Sequence, residues 1–500
     1  MKNLIGKHVL VLGLGHSGLA LARWCARWGA QVTVADSREE PPQRDALRTS
    51  VPAASFLRSD MSGALLDLAA FDMLLKSPGL SPADTAGVTA AAKARGIACG
   101  NELSVFAHAL ADLKVDTGYA PQVIGITGTN GKTTVTSLAG QLVQRAGKTV
   151  AVAGNIGPTL LDTLAEKMDA DCLPEVWVIE LSSFQLDGIK NFEPDAATVL
   201  NITQDHLDWH GTFEAYAAAK NNVYGTGGLM LLNRNDPRVM AAVPVQVKGK
   251  PARSYLTYGH DEPQRPGDYG IETVNGMVWL VRASELDETI KRKRGDKGEV
   301  AELHIQRLMP VDALRIHGLH NATNALAALA LAHAAGCALG PMLHGLREYR
   351  GEPHRVESVA VINDVEYFDD SKGTNVGATV AALAGLGAQR KLVVILGGVG
   401  KDQDFSPLAL PVSRFVRAVV LMGRDAPLIG TALESSAVEL LLAETMQEAV
   451  SLAAEKAQPG DAVLMSPACA SFDMFDNYEH RARVFCEAVN ALALEEGVML

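Results

Sequence analysis

The chain is poor in three things. Its six cysteines (positions 25, 99, 172, 337, 469 and 486) are scattered and form no Cys-x-x-Cys pair. That argues against a zinc site or a disulfide framework and fits a reducing cytoplasm. Positive charge is also short, with 45 Lys and Arg against 57 Asp and Glu and a net charge of −12. A nucleic-acid surface is therefore not expected, and ligand phosphates must be met by local clusters of cations. Finally, no uninterrupted apolar stretch is long enough to span a membrane, and residues 1–7 lack the apolar core of a signal peptide. The expectation is a cytoplasmic protein with no membrane span.

What is present is ordinary in bulk. Apolar residues make up 48% and charged residues 20% of 500 positions, as in α/β proteins, and that length calls for two to four domains. Residues 125–134, Gly-Ile-Thr-Gly-Thr-Asn-Gly-Lys-Thr-Thr, are more informative. They follow an apolar run at 122–124 and precede a helical pattern over 135–146. Strand, glycine-rich turn and helix start make a phosphate cradle: backbone N–H groups and the helix terminus face the anion, and a lysine neutralises it. Lys132 is that lysine, and the Thr133 hydroxyl is a magnesium ligand. The general pattern places its first glycine at position 126; this chain has Ile126 there and carries the glycine at 128.

Three segments follow from the patterning. In residues 1–118, strands at 8–12 and 31–35 flank Gly13-Leu-Gly-His-Ser-Gly18 and a helix over 19–28, and Asp36 lies 23 residues after Gly13. Taken alone, this is the turn of a dinucleotide site with its ribose-binding acid, the reading of a nicotinamide-dependent dehydrogenase. Residues 73–79 read as another strand leading into a ligand-facing turn. Residues 119–352 hold the phosphate loop, a strand at 176–180 ending in Glu180, a strand at 196–202 before Asp205 and His206, a helix over 213–224 carrying Lys220, and an alanine-rich helix over 321–335. Lys220 by itself reads as a surface lysine, and the charged run around 291–297 as a solvated hairpin or loop. Residues 353–500 place apolar strands at 392–398, 418–423 and 462–466 between helical patterns, a third α/β unit. There Asp369-Asp-Ser-Lys-Gly-Thr-Asn375 leads from a strand into a helix near Val376, and Lys372 with that helix start makes an anion site. Lys401 and residues 466–472 lie after other strands.

The ordered set Thr127–Thr133, Glu180–Leu186, Asp205–Asp208, His320–Ala325, Pro353–Arg355 and Asp370–Lys372 resembles the Mur ligase family of peptidoglycan synthesis. Among its members it looks most like those that add D-glutamate, because Asp-Ser-Lys stands where other members and the folate-chain ligases carry a histidine-containing motif. The resemblance implies three α/β domains: a Rossmann-like domain over 1–118 binding a UDP-sugar, a central P-loop-type ATPase sheet over 119–352, and a Rossmann-like domain over 353–500 binding the amino acid and closing over ATP. It implies a monomeric enzyme that activates a carboxylate with ATP as an acyl phosphate, which an amine then attacks. The implied substrates are UDP-N-acetylmuramoyl-L-alanine and D-glutamate, and the cofactors are ATP and two magnesium ions.

Residue by residue, the resemblance implies that Gly128, Thr129, Asn130, Gly131, Lys132, Thr133, Thr134, Asn324, Arg355 and Asp370 contact ATP. Thr133, Glu180, His206 and Lys220 hold metal, with Lys220 carbamylated. Lys132, Glu180, His206, Lys220 and Lys372 are the catalytic set. Ser17, Asp36, Ser37, Arg38, Gly79 and Asn155 contact the UDP substrate. Lys372, Thr374, Lys401, Ser471, Phe472 and Tyr478 read the two carboxylates of D-glutamate. The loops near 165–175, 244–312 and 425–440 exceed the family plan and carry no assigned role.

Overall fold

The computed structural model describes residues 2–245, 253–285, 303–316, 318–388 and 390–498. The charged run at 291–297 and much of the 244–312 loop lie outside them. The chain divides into two compact units. The first comprises 1–202, 207–309 and 325–346, and the second 203–206, 310–324 and 347–500.

In the first unit, strands β1 (His8–Leu12), β2 (Gln31–Asp36), β3 (Ser55–Arg58), β4 (Met73–Lys76) and β5 (Ala98–Asn101) form a parallel sheet of order β3-β2-β1-β4-β5. A second parallel sheet holds β6 (Gln122–Thr127), β7 (Val150–Gly154), β8 (Val176–Glu180), β9 (Ala196–Val199), β10 (Leu229–Asn233) and β11 (Tyr255–Tyr258), in order β11-β10-β9-β6-β8-β7. Strands such as Val176–Glu180 are buried on both faces, which is why they read as continuous apolar runs. In both sheets the chain order reverses beside the first strand, so β1 and β6 end where a ligand crevice opens. The two sheets share one core: Phe106, on the helix Glu102–Thr117 after β5, packs edge-on against Trp177 of β8, with ring centroids 5.0 Å apart.

A small sheet, β12 (Tyr269–Val274), β13 (Met277–Glu285) and β14 (Leu303–Pro310), has no counterpart in the sequence reading. The signal was present, since Asn275-Gly276 joins β12 to its antiparallel partner β13 with both residues at positive φ. That is the two-residue turn that Asn-Gly favours.

The second unit holds β15 (Glu357–Ile362), β16 (Val365–Asp369), β17 (Leu392–Gly397), β18 (Val416–Met422), β19 (Glu439–Leu442) and β20 (Ala462–Met465), in order β15-β16-β20-β17-β18-β19. Only β15 is antiparallel to its neighbour. Several predicted boundaries shift. The helix after the phosphate loop begins at Lys132, and the helix from Phe213 gives way to a tighter turn after Asn221. The strand from Ala196 ends at Val199, because the backbone of Asn201 turns to serve the loop.

Candidate active site

The phosphate loop leaves β6 after Thr127. Ile126 is a fully buried strand residue paired with Glu180 and Thr198, so the turn cannot begin there. It begins at Gly128, with φ +154°, where an added Cβ would lie 2.9 Å from Leu200 Cβ. Gly131, at φ +82°, precedes the helix Lys132–Arg145, whose N-terminal end faces the turn as the positive end of the helix dipole. The loop is buttressed from outside. Asn201 accepts from Asn130 N (2.9 Å) and donates to Asn130 O (3.0 Å), while its own carbonyl accepts from Thr129 N (2.9 Å). The sequence reading placed Asn201 only within the strand at 196–202 and gave it no role.

Two lysines converge on this loop. Lys132 Nζ donates to Gly128 O (2.9 Å) and Thr129 O (2.8 Å), and Lys220 Nζ donates to the same Gly128 O at 2.8 Å. Lys220 is 2% exposed, which corrects its reading as a surface lysine. Tyr216 lies one helical turn earlier, so both face the loop; its hydroxyl bonds Thr129 Oγ1 at 2.9 Å and its ring lies 4.6 Å from Lys220 Nζ. Two ammonium groups on one carbonyl oppose each other, and an anionic ligand or loss of one charge relieves that.

Glu180, at the end of β8, is 1% exposed. Its Oε1 accepts from Asn155 Nδ2 at 2.7 Å, and its Oε2 is buried without a hydrogen-bond partner. A buried carboxylate oxygen with no donor suits a hard cation, so the residues present fit magnesium. Asn155, expected at the UDP substrate, thus positions the acid.

The N-terminal turn differs from a dinucleotide site. Asp36 Oδ2 accepts from Leu14 N (2.7 Å) and Arg38 Nη2 (2.9 Å), and its Oδ1 from Arg38 N and Nε, both 2.9 Å. Burial pushes the carboxyl up, but these bonds outweigh it and bring it down to about 2. The acid is spent on Arg38 and the turn instead of waiting for a ribose. Arg38 is half exposed, and Ser37 and Gly79 are exposed. Ser17 bonds Glu102, a buried acid that also accepts from Leu161 N at 3.2 Å and that burial pushes up to about 7.

The second unit holds the remaining expected residues. His206 has φ +52° and donates its N–H to Asp205 Oδ1 (3.0 Å); the other Asp205 oxygen accepts from Asn375 at 3.4 Å. Asn324 donates to Asn321 at 3.2 Å. After β16, Asp369 and Asp370 are both buried. Asp370 accepts from Ser466 Oγ at 2.6 Å, and burial pushes its carboxyl up to about 7 against the pull of that hydroxyl and of Arg355. Lys372 Nζ stands 3.5 Å from the centre of the Tyr478 ring, and the Thr374 N–H donates to Lys372 O. Lys401 sits at φ +53° after Gly398, while Ser471 is buried and Phe472 exposed. Arg481, absent from the sequence reading, is 1% exposed and donates to Ser371 O (2.9 Å) and Cys469 O (3.1 Å), clamping two strand-end turns.

Sequence comparison decides what this set belongs to. Residues 7–100 match the profile described as Mur ligase MurD-like, N-terminal domain; 126–332 match the Mur ligase middle domain; and 354–469 match the Mur ligase, glutamate ligase domain. A UDP-N-acetylmuramoylalanine--D-glutamate ligase of Albidiferax ferrireducens is 64% identical over 99% of this chain and 98% of its own. The chain belongs to the Mur ligase family. A Polaromonas relative of the same name is 58% identical across the full length of both chains. Among solved structures, the MurF ligase of Thermotoga maritima in complex with ADP shares the fold, with a TM-score of 0.57 at 15% identity over 99% of this chain and 97% of that one. The α/β architecture with Mur ligase N-terminal, middle and C-terminal domains is thereby established. As a Mur ligase, this chain has its phosphate loop, Glu180 and Lys220 inside the middle-domain match, and Arg355 and residues 369–375 inside the glutamate-ligase match. No helix among the described residues is long and apolar enough to cross a membrane.

Proposed function

We propose that this chain is an ATP-dependent ligase that joins D-glutamate to UDP-N-acetylmuramoyl-L-alanine through an acyl phosphate, in peptidoglycan precursor synthesis. The observation that carries the reading is the end-to-end likeness to D-glutamate ligases at 58–64% identity. The enzyme is read as a cytoplasmic monomer, with residues 1–118 taking the UDP-sugar, 119–352 ATP and 353–500 the amino acid.

The local chemistry supports it. A carboxylate attacking a triphosphate brings anions together, so the site must supply cations. Lys132 and the loop residues from Gly128 to Thr134 hold the β- and γ-phosphates, with Asn324, Arg355 and Asp370 on the rest of the nucleotide. Thr133 and Glu180 would hold one magnesium, and His206 and Lys220, the latter as a carbamate, would serve a second. Bound there, magnesium would supply positive charge against the phosphates. Carbamylation of Lys220 removes one of the two ammonium groups on Gly128 O. Ser17, Asp36, Ser37, Arg38, Gly79 and Asn155 form the UDP-substrate side, Asp36 acting through Arg38 and Asn155 through Glu180. Lys372, Thr374 and Lys401 meet one carboxylate of D-glutamate, and Ser471, Phe472 and Tyr478 the other.

The test is a phosphate-release assay. Turnover is expected only with ATP, the UDP substrate and D-glutamate together, and to vanish with L-glutamate. Equal turnover of both enantiomers refutes the reading.

A further inference from the structure

The acyl phosphate cannot be attacked by an ammonium ion. An amino acid's amine is protonated at neutral pH and has no lone pair until it loses a proton. Lysine ammonium groups such as Lys372 and Lys401, and the Arg355 guanidinium, have no acceptor to take that proton. Asp370 is buried and bonded to Ser466.

One other group in the same unit is built for the task. His354 Nδ1 lies 2.6 Å from Asp369 Oδ2, and Asp369 is fully buried. The other Asp369 oxygen accepts from both Ser371 N (2.9 Å) and Ser371 Oγ (2.6 Å), which fixes the carboxylate. Because a carboxylate only accepts, the proton sits on Nδ1 and the lone pair on Nε2, across the ring. The backbone holds the ring as well: His354 N donates to Glu357 Oε2 (2.9 Å) and His354 O accepts from Lys372 N (3.2 Å). His354 and Val356 both adopt positive φ, +61° and +51°, strain of a kind that collects at functional sites. The imidazole is 29% exposed and stands edge-on to Tyr478, centroids 6.2 Å apart, on the ring that carries Lys372. His354, Glu357 and Asp369 also fall within the spacing of a cation site, and the 2.6 Å between His354 Nδ1 and Asp369 Oδ2 is the length of a charge-assisted hydrogen bond.

We infer that His354, oriented by Asp369, is the general base that takes a proton from the ammonium group of the incoming amino acid. This rests on the ligase reading above. The ammonium gives one proton to Nε2 and keeps the electron pair. That pair forms the C–N bond at the acyl-phosphate carbon as the carbonyl π pair moves onto its oxygen. The oxyanion then re-forms the carbonyl, the bond from carbon to the bridging oxygen breaks, phosphate leaves with that pair and takes the second N–H proton, and the imidazolium returns its proton to solvent. Asp369 is a positioning residue. The charged groups around the ring are Asp369, Glu357, Arg355 and Lys372, with Tyr478 at its edge and Arg481 and Cys486 behind Asp369.

The test separates the two halves of the reaction in the full-length enzyme. Acyl phosphate is trapped by borohydride reduction with ATP and the UDP substrate but no D-glutamate; amide formation is followed with D-glutamate. In His354→Gln, amide formation is expected to fall about 10²–10³-fold, acyl phosphate to stay within about threefold of the parent, and added imidazole to restore part of the loss. Equal loss of both steps, or amide formation within about threefold of the parent, overturns the inference. If His354→Gln does not fold, Asp369→Asn decides. It is expected to lower amide formation about tenfold and to move the acid limb of kcat/KM for D-glutamate to lower pH; an unmoved limb overturns the inference. Absence of acyl phosphate in the parent enzyme would instead refute the ligase reading itself.

Discussion

The segments 125–134 and 369–375 share a plan and differ in charge. Each leaves the end of a strand, β6 or β16, turns, and enters a helix, and each carries a lysine, Lys132 at the helix start and Lys372 in the turn. The first contains no acid, and its cations rest on backbone carbonyls. The second opens with two buried aspartates bonded to Ser371, His354 and Ser466, while its lysine faces an aromatic ring. The same address in two sheets thus serves different ends. A turn of glycines and cations fits a polyanion. A turn of buried acids that orient a histidine fits proton transfer and the reading of a zwitterion. The fold sets where chemistry happens, and the side chains decide which chemistry.

The largest effect is expected at the loop. Lys220→Ala removes one of the two cations on Gly128 O and, on the carbamate reading, a magnesium ligand. Activity should fall at least about 10²-fold, as when a preorganised transition-state contact is lost, and short carboxylic acids should restore part of it. Parent-level activity in the alanine variant would leave Lys220 a buried structural lysine, and the loop would need only Lys132.

The acid side should respond to pH in the opposite sense from ordinary surface carboxylates. Burial holds Asp370 protonated up to about 7, so its folded value is raised above the unfolded one. The fold therefore bears no penalty from this group below about pH 4. Stability is lost as pH rises from about 4 to 7, and the deficit is constant above that. Asp370→Asn removes the charge and keeps the shape. At pH 8 it should be the more stable protein by on the order of 2 kcal/mol, with a Tm a few degrees higher, and it should match the parent near pH 4. Thermal melts at both pH values check this; a variant less stable at pH 8 would show that Ser466 and Arg355 already compensate the ionised acid.

Much of this was legible in the sequence because strand ends and glycine turns are local. The runs at 8–12, 122–127, 176–180 and 392–397 are apolar since both faces are covered, and Gly128 and Gly131 mark the cradle by their backbone needs. What stayed hidden depends on distant partners. Nothing near Lys220 in sequence says that it is buried, because Gly128 lies 92 positions away. Asp36 read as a ribose acid, although Arg38, two positions on, takes both of its oxygens. The His354–Asp369 pair joins residues that the pattern treats separately. The small sheet β12–β14 was missed for a different reason: its Asn275-Gly276 turn is a local signal that the reading passed over.

The smallest effect tests the buttress of the loop rather than its charges. Asn201→Ala deletes the bonds to Asn130 N and O and leaves the backbone bond from Thr129 in place. Asn130 is only partly buried, so water can replace what is lost, and the stability cost should be about 1 kcal/mol. The functional cost should fall on ATP alone, because a loop that is no longer preorganised must be ordered by the nucleotide. KM for ATP should rise about fivefold, KM for D-glutamate should not move, and kcat should change less than KM. If instead kcat falls while KM for ATP holds, Asn201 aligns the γ-phosphate in the transition state, and the boundary between buttress and catalytic loop moves outward to include it.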